Sequence, residues 1–122
     1  MLQDKYKKKT TSQLIKIASI CFNKFIRERD ADKRCISCGG KVQQAGHFYS
    51  GGHYPVLRFN EDNVHGQCIR CNYHLSGNLN RYRINLINKI GQERIKRLDF
   101  LTKQRGFKWN RFYLIEVIEK YR

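Results

Sequence analysis

A chain of 122 residues with 25 Lys and Arg against 10 Asp and Glu suits one domain of modest core. Its formal charge of +15 points to a polyanionic partner, nucleic acid before membrane, because no dominant basic amphipathic helix accompanies the charge. No run of roughly 18 apolar residues exists, which excludes a helical membrane span, and MLQDKYKKKTTSQ lacks the apolar stretch of a secretory signal.

Five cysteines, four of them in two C-x-x-C pairs, fit a reduced, cytoplasmic setting in which metal rather than oxidation ties the chain. Residues 1–9 read as a flexible basic arm, with Lys7, Lys8 and Lys9 placed to touch phosphates. Residues 10–122 read as a single domain. Thr10, Thr11 and Ser12 are N-cap candidates. Leu14, Ala18, Cys21 and Phe25, widened by Ile17 and Phe22, recur at helical spacing and predict an amphipathic helix of roughly 18 residues. Cys21 lies on that stripe and reads as a buried core thiol.

Cys35-Ile36-Ser37-Cys38 and Cys68-Ile69-Arg70-Cys71 then place two pairs of sulfurs at the separation needed to share one tetrahedral ion. Thiolates prefer zinc, and four protein ligands make a closed structural site, so Cys35, Cys38, Cys68 and Cys71 are assigned to a structural Zn²⁺ that leaves the protein near +13. The 29 residues between the pairs exceed the usual spacing of roughly 15–20, which calls for a hairpin looped out from the metal. Residues 41–50 and 56–59 read as its two strands, joined by Gly51-Gly52-His53-Tyr54-Pro55.

Beyond Cys71 the pattern predicts a short helix disturbed at Gly77. A helix over 80–90 follows, with Tyr82, Leu86 and Ile90 on one face and Gly91 as its C-cap. Another covers 92–104 with Ile95, Leu98 and Leu101 inward. A last helix is capped by Asn110 and packs through Leu114, Val117, Ile118 and Tyr121, while Phe107, Trp109 and Phe112 form an aromatic packing cluster.

A histidine on the first strand, an asparagine in the following loop and a ligand residue directly after the second knuckle form the pattern of an HNH, or histidine–metal finger, nuclease. These are His47, Asn63 and Asn72. The chemistry needs a neutral imidazole to take a proton from water, a group that holds its tautomer, and a hard cation that stabilises charge on the phosphate and leaving oxygen. His47 suits the first role, the Asn63 carbonyl the second, and the Asn72 oxygen a Mg²⁺ or Mn²⁺ ion. His74 and Asn78 are reserve ligands for that ion. Arg58, Arg70, Arg81 and Arg83 are candidate phosphate contacts. His65 reads as structural and His53 as a turn residue facing solvent or DNA.

FIRERD at residues 25–30, then CISCG, AGH, LRFNEDNVHGQC, CNYHLSGNL and YR-x-x-L-I-x-x-I-G-Q-E closely resemble the NinG (Rap) family of lambdoid phages. The layout is also similar to phage endonuclease VII, in which an Asn directly after the last zinc-binding cysteine binds the catalytic metal, as Cys71-Asn72 would here. The resemblance implies a structure-specific endonuclease that cuts branched DNA such as Holliday junctions and D-loops, leaving 5′-phosphate and 3′-hydroxyl ends. It departs from many HNH enzymes in one respect: Ala45 and Gly46, not an acidic ligand, precede His47.

The expected fold is therefore α+β, a zinc-bound ββα-metal (HNH-like) finger over residues 35–90, flanked by an N-terminal helix and by C-terminal helices over 92–122. Its expected partners are branched DNA, a second copy in a homodimer, and recombination proteins of phage or host. The apolar faces of the first and last helices could supply the dimer interface or pack within one chain. Two other functions fit the same residues. A non-catalytic zinc module would bind nucleic acid without magnesium-dependent cleavage, and an HNH nuclease acting on ordinary duplex would cut linear DNA as well as junctions.

Overall fold

The computed structural model describes residues 2–122, with side chains from Asp4 onward; Met1 lies outside the described residues. The chain opens with a short helix α1 (Leu2–Lys5), followed by the long α2 (Thr11–Arg29). Thr10 caps α2 through a reciprocal pair: its Oγ1 accepts from the Gln13 N–H at 3.1 Å, and the Gln13 Oε1 accepts from the Thr10 N–H at 2.8 Å. Leu14, Ala18, Phe22 and Ile26, each four residues apart, form the buried face. Cys21 and Phe25 flank that stripe half-buried instead of occupying it. The difference is small, since a helical period of 3.6 residues lets neighbouring rows compete for the same partner.

That partner is the last helix, α5 (Arg111–Tyr121), capped by Asn110, whose Oδ1 accepts from the Tyr113 N–H at 3.0 Å. Leu114, Ile115 and Ile118 meet Leu14 and Ala18 in one cluster. The two apolar faces that could have met a second chain are thus buried against each other. Tyr6 joins them at 5% exposure, its hydroxyl donating to Glu119. Arg111 donates to the carbonyls of Lys9, at 2.7 Å, and Tyr6. From residue 4 the expected free arm is therefore docked, leaving the Lys7, Lys8 and Lys9 side chains exposed.

The sheet has two strands. β1 (Gln44–His47) pairs antiparallel with β2 (Val64–Gln67), with Gln44 opposite Gln67 and His47 opposite Val64. The strand expected over 56–59 is instead a 3₁₀ turn, Pro55–Leu57, with Pro55 at its first turn. Proline's fixed φ favours a turn start, and Leu57 is fully buried as a loop anchor. β2 is buried at all four positions, so it shows no alternation. Gly66 is needed there: a Cβ would meet Val42 at 2.6 Å and Asp30 at 3.1 Å.

A π-helical turn (Arg70–His74) leads to α3 (Leu79–Ile90) and α4 (Gln92–Leu101), which join at Gly91 with φ of 88°. The expected helix over 92–104 therefore ends three residues early. Tyr82 and Leu86 of α3, with Ile95 and Leu98 of α4, close a second core over Ile36, Phe48 and Leu57. Phe22, Ile26 and Val64 bridge the two halves. The result is mixed α+β with a small two-stranded sheet.

Buried charge joins α2 to the sheet and to α3. Asp30, 2% exposed, accepts from the Gly66 N–H at 2.8 Å and from Arg29 at two positions, both 2.9 Å, with Lys89 3.7 Å away. Burial pushes this carboxyl up, but those donors and charges outweigh it and hold it at about 2. Beside it, the His65 Nδ1 lies 3.2 Å from Arg29 Nη2 and 3.0 Å from Lys89 Nζ. Neither partner can accept, so Nδ1 is the bare nitrogen and Nε2–H donates to the Asp62 carbonyl at 2.9 Å. Burial, then the Lys89 charge, depress this imidazole from 6.5 to about 4.

The folded protein keeps His65 neutral where the unfolded chain protonates it. Its contribution is complete above pH 6.5 and drains as pH falls toward 4, up to ~3 kcal/mol. Urea unfolding should show the loss, and His65→Asn should flatten the slope in that window relative to wild type. Parallel curves for the two proteins would contradict the assignment.

Candidate active site and metal cluster

The two C-x-x-C turns converge. The sulfurs of Cys35, Cys38, Cys68 and Cys71 all lie within 4.8 Å of one another. The first turn closes through Gly39 N–H to Cys35 C=O at 2.9 Å, and Gly39 has a φ of 77° that favours glycine. N–H donors point at sulfur: Gly40 to Cys38 and Cys71 to Cys68, each at 3.4 Å, and Asn78 Nδ2 to Cys71 at 3.5 Å.

Thiols crowded this closely cannot all ionise unaided. Burial, reinforced by the neighbouring sulfurs, pushes Cys71 up to about 12, whereas backbone N–H groups outweigh burial at Cys35 and bring it down to about 7. A divalent cation removes that conflict, and an all-sulfur tetrad fits zinc. The four cysteines could therefore hold such a metal.

A groove of about 990 Å³ runs between β1 with the loop after it and α3. His47, the last residue of β1, lines it. Its Nε2 lies 2.9 Å from the Arg58 carbonyl, which can only accept, so Nε2 carries the hydrogen and Nδ1 is the lone-pair nitrogen. Burial lowers this imidazole's pKa, the Arg58 carbonyl pulling the other way and its guanidinium adding to the fall. His47 is thus held neutral, in one tautomer, at the groove.

The Asn63 amide spends its hydrogen bonds on groups other than the His47 ring. Fully buried, it accepts the Tyr49 N–H at 2.9 Å and donates to the carbonyls of Tyr49, at 2.8 Å, and Leu57, at 3.0 Å. It clamps both ends of the loop that delivers the Arg58 carbonyl, so the expected direct orientation of the imidazole by Asn63 is replaced by an indirect one. Asn72 lines the same groove as His47, and its Nδ2 donates to Gln44 Oε1 at 2.8 Å. That bond leaves the Asn72 Oδ1 as the available oxygen. Gln44, three residues before His47, was not foreseen because its role depends on strand register.

Gly46 explains the missing acid. A Cβ there would sit 1.7 Å from Gln67 Oε1, because the wholly buried Gln67 fills that space while Nε2 donates to Ser37 Oγ, at 2.9 Å, and Gly77 O, at 2.8 Å. Any side chain at 46 must displace it.

Of the remaining candidates, Arg83 and His53 line the groove. Arg83 is gripped by Asp99 at 2.8 and 3.1 Å, and Tyr49 donates its hydroxyl to the same carboxylate. His53 bonds Ser50 Oγ at 2.9 Å. Arg58 leans toward Ser19, with Nε 3.3 Å from its hydroxyl. His74 is exposed on the π-helical turn, its ring 5.1 Å from that of Tyr73, and Asn78 serves the Cys71 sulfur. Neither lines the groove with His47. Arg70 is exposed beside the second knuckle, and Arg81 lines a smaller pocket beside the first.

The family model described as Bacteriophage Lambda NinG protein matches residues 2–122. Proteins called Protein ninG from Escherichia phage 933W and Escherichia phage lambda are each 49% identical over 94 residues, or 75% of this chain and 47% and 46% of their own lengths. The Protein ninG of Salmonella phage P22 is 50% identical over 86 residues, 68% of this chain and 42% of its own. The chain thus spans about half the length of the curated relatives it matches. No solved structure matches it.

Metal analysis of the purified protein should give one zinc per chain. Cys71→Ser should lose it together with cooperative thermal unfolding, since structural zinc binding is itself folding free energy, on the order of 10 kcal/mol. A folded, zinc-free Cys71→Ser protein would refute the assignment.

Proposed function

The chain belongs to the NinG family, and from that premise we propose that it is a metal-dependent endodeoxyribonuclease of the histidine–metal finger type, acting on branched DNA. One observation carries the reading: a half-buried neutral imidazole and an amide oxygen directly after the cysteine cluster open on the same groove. β1, β2 and α3 would then be the ββα unit of such a finger, with zinc as its structural staple.

On this reading, the His47 Nδ1 takes a proton from the attacking water while Nε2–H stays on the Arg58 carbonyl, which steadies the imidazolium that forms. The water oxygen bonds to phosphorus, the bond to the 3′-oxygen breaks, that oxygen takes a proton from solvent, and the products carry 5′-phosphate and 3′-hydroxyl ends. A Mg²⁺ or Mn²⁺ ion held at the Asn72 Oδ1 would supply charge neutralisation for the phosphate and the leaving oxygen. Arg83, pre-aimed by Asp99 and Tyr49, binds a phosphate oxygen. The +15 charge draws DNA to the groove.

Two-fold junctions need paired nicks, which favours two sites in a homodimer. That dimer would use a surface other than the joined faces of α2 and α5. Recombination proteins of phage or host are the partner class this activity would serve.

His47→Ala should lower cleavage of a junction or flap by at least ~10²-fold with melting temperature and DNA binding retained, measured with Mg²⁺ or Mn²⁺ against matched single-strand and duplex substrates. Full cutting by that variant ends the mechanism, and equal cutting of linear duplex ends the branched-substrate reading. Because burial lowers the His47 pKa, the rate should climb through an acid limb below pH 6.5 and level off above it. An acid limb centred above neutral pH would rule out His47 as the base.

A further inference from the structure

The groove has a second wall that phosphodiester chemistry does not use. α3 buries Tyr82 and Leu86 in the core, and it turns Leu79, Ile84 and Ile87 into the groove beside Arg83. Leu79 is 44% exposed and Ile84 62%. Phosphate binding is served by cations and N–H donors and gives no reason to leave large aliphatic side chains open next to a guanidinium. Contiguous apolar surface kept in water usually marks a binding site.

The partner must carry negative charge, to match Arg83 and the +15 chain, and an apolar face within a nucleotide's length of it. Intact duplex does not qualify, because its outer surface is phosphate and sugar and its base faces are stacked on one another. A strand with an unstacked base presents both features together. Base faces pack on apolar and aromatic side chains without regard to sequence, and a base that is already unpaired costs least to draw aside.

We propose that the apolar face of α3, formed by Leu79, Ile84 and Ile87, is a binding site for an unstacked nucleobase of the DNA strand whose backbone lies along His47. The inference rests on the nuclease reading of the same groove and deepens it. Preference for branched DNA then comes from binding energy that only an open base can supply, while the catalytic groups remain indifferent to branching.

The test uses the full chain with zinc and the His47→Ala substitution, which holds DNA without cutting it. The probe is a forked oligonucleotide carrying 2-aminopurine at the branch nucleotide, whose emission rises when the base leaves its stack. Binding should raise the emission. Adding Ile84→Ser should abolish the rise and weaken binding to the fork about tenfold, with less than a twofold effect on fully paired duplex of the same sequence. A thermal melt checks that this exposed substitution leaves the fold intact.

Equal losses on fork and duplex, or no rise in emission, overturn the base site. Unchanged binding to both would assign the face to a protein partner and overturn it as well. Absence of Mg²⁺- or Mn²⁺-dependent cleavage by the wild type would instead sink the nuclease reading, and the Ile84→Ser comparison would still decide the base site on its own.

Discussion

Convergence of four sulfurs within 4.8 Å is the constraint from which the rest of this architecture follows. It fixes residue 35 against residue 71 and forces the intervening chain to leave and return. Closing so long a loop costs entropy that only a strong clip or a dense core can offset, and a domain of this size has little core to spare. The returning chain becomes β2 and leads directly into the second knuckle, and α3 begins a few residues after it. The cluster therefore sets the distance between β1 and α3. That distance is the width of the groove, which is why Asn72, one residue after Cys71, meets His47 there.

Within the loop, buried polar groups take the place of a larger core. Asn63, Asp30, His65 and Gln67 are all buried, and the first three hold backbone carbonyl or N–H groups that no regular strand satisfies. Such groups add modestly when paired and cost heavily when orphaned, so each one selects a single loop conformation. The same burial acts on chemistry. The structure that positions the His47 ring half-buries it, which lowers its pKa, and the Arg58 carbonyl at 2.9 Å defines its tautomer.

The helices were legible in the sequence because their signals are local: the Thr10 and Asn110 caps, the Gly91 break and rows of apolar residues at helical spacing all mark their elements. The cysteine pairs were legible for the same reason, since the spacing itself is the geometry. β2 was not. Val-His-Gly-Gln is buried on both faces and has neither alternation nor a β-branched run, while Val-Leu-Arg-Phe looks like a strand but follows a proline that seeds a turn. Residues of the site divide in the same way. His47 and Asn72 were nominated by their place relative to the knuckles. Gln44, Asp99 and the partners of Asn63 depend on pairing register and on contacts up to 50 residues apart, which no window along the chain contains. Tyr6 shows the reverse error: a lysine-rich terminus reads as solvated, yet a buried aromatic ring, with Arg111 on the backbone beside it, docks it.

Gly46 connects packing to mechanism. Gln67 occupies the space in which a side chain at 46 would stand, and its Nε2 bonds to Ser37 and Gly77 hold the loop between the first knuckle and the start of α3. An acidic ligand next to the histidine is thus incompatible with this way of bracing the cysteine cluster. On the nuclease reading, the cation must then rest on the neutral Asn72 oxygen, water and the phosphate of the DNA. Asp99 is no substitute, because Arg83 and Tyr49 already hold it. A neutral site binds a hard divalent ion weakly by itself, and a strongly basic protein repels it further. Metal and DNA would therefore be taken up together, with the phosphate supplying the charge that the protein omits.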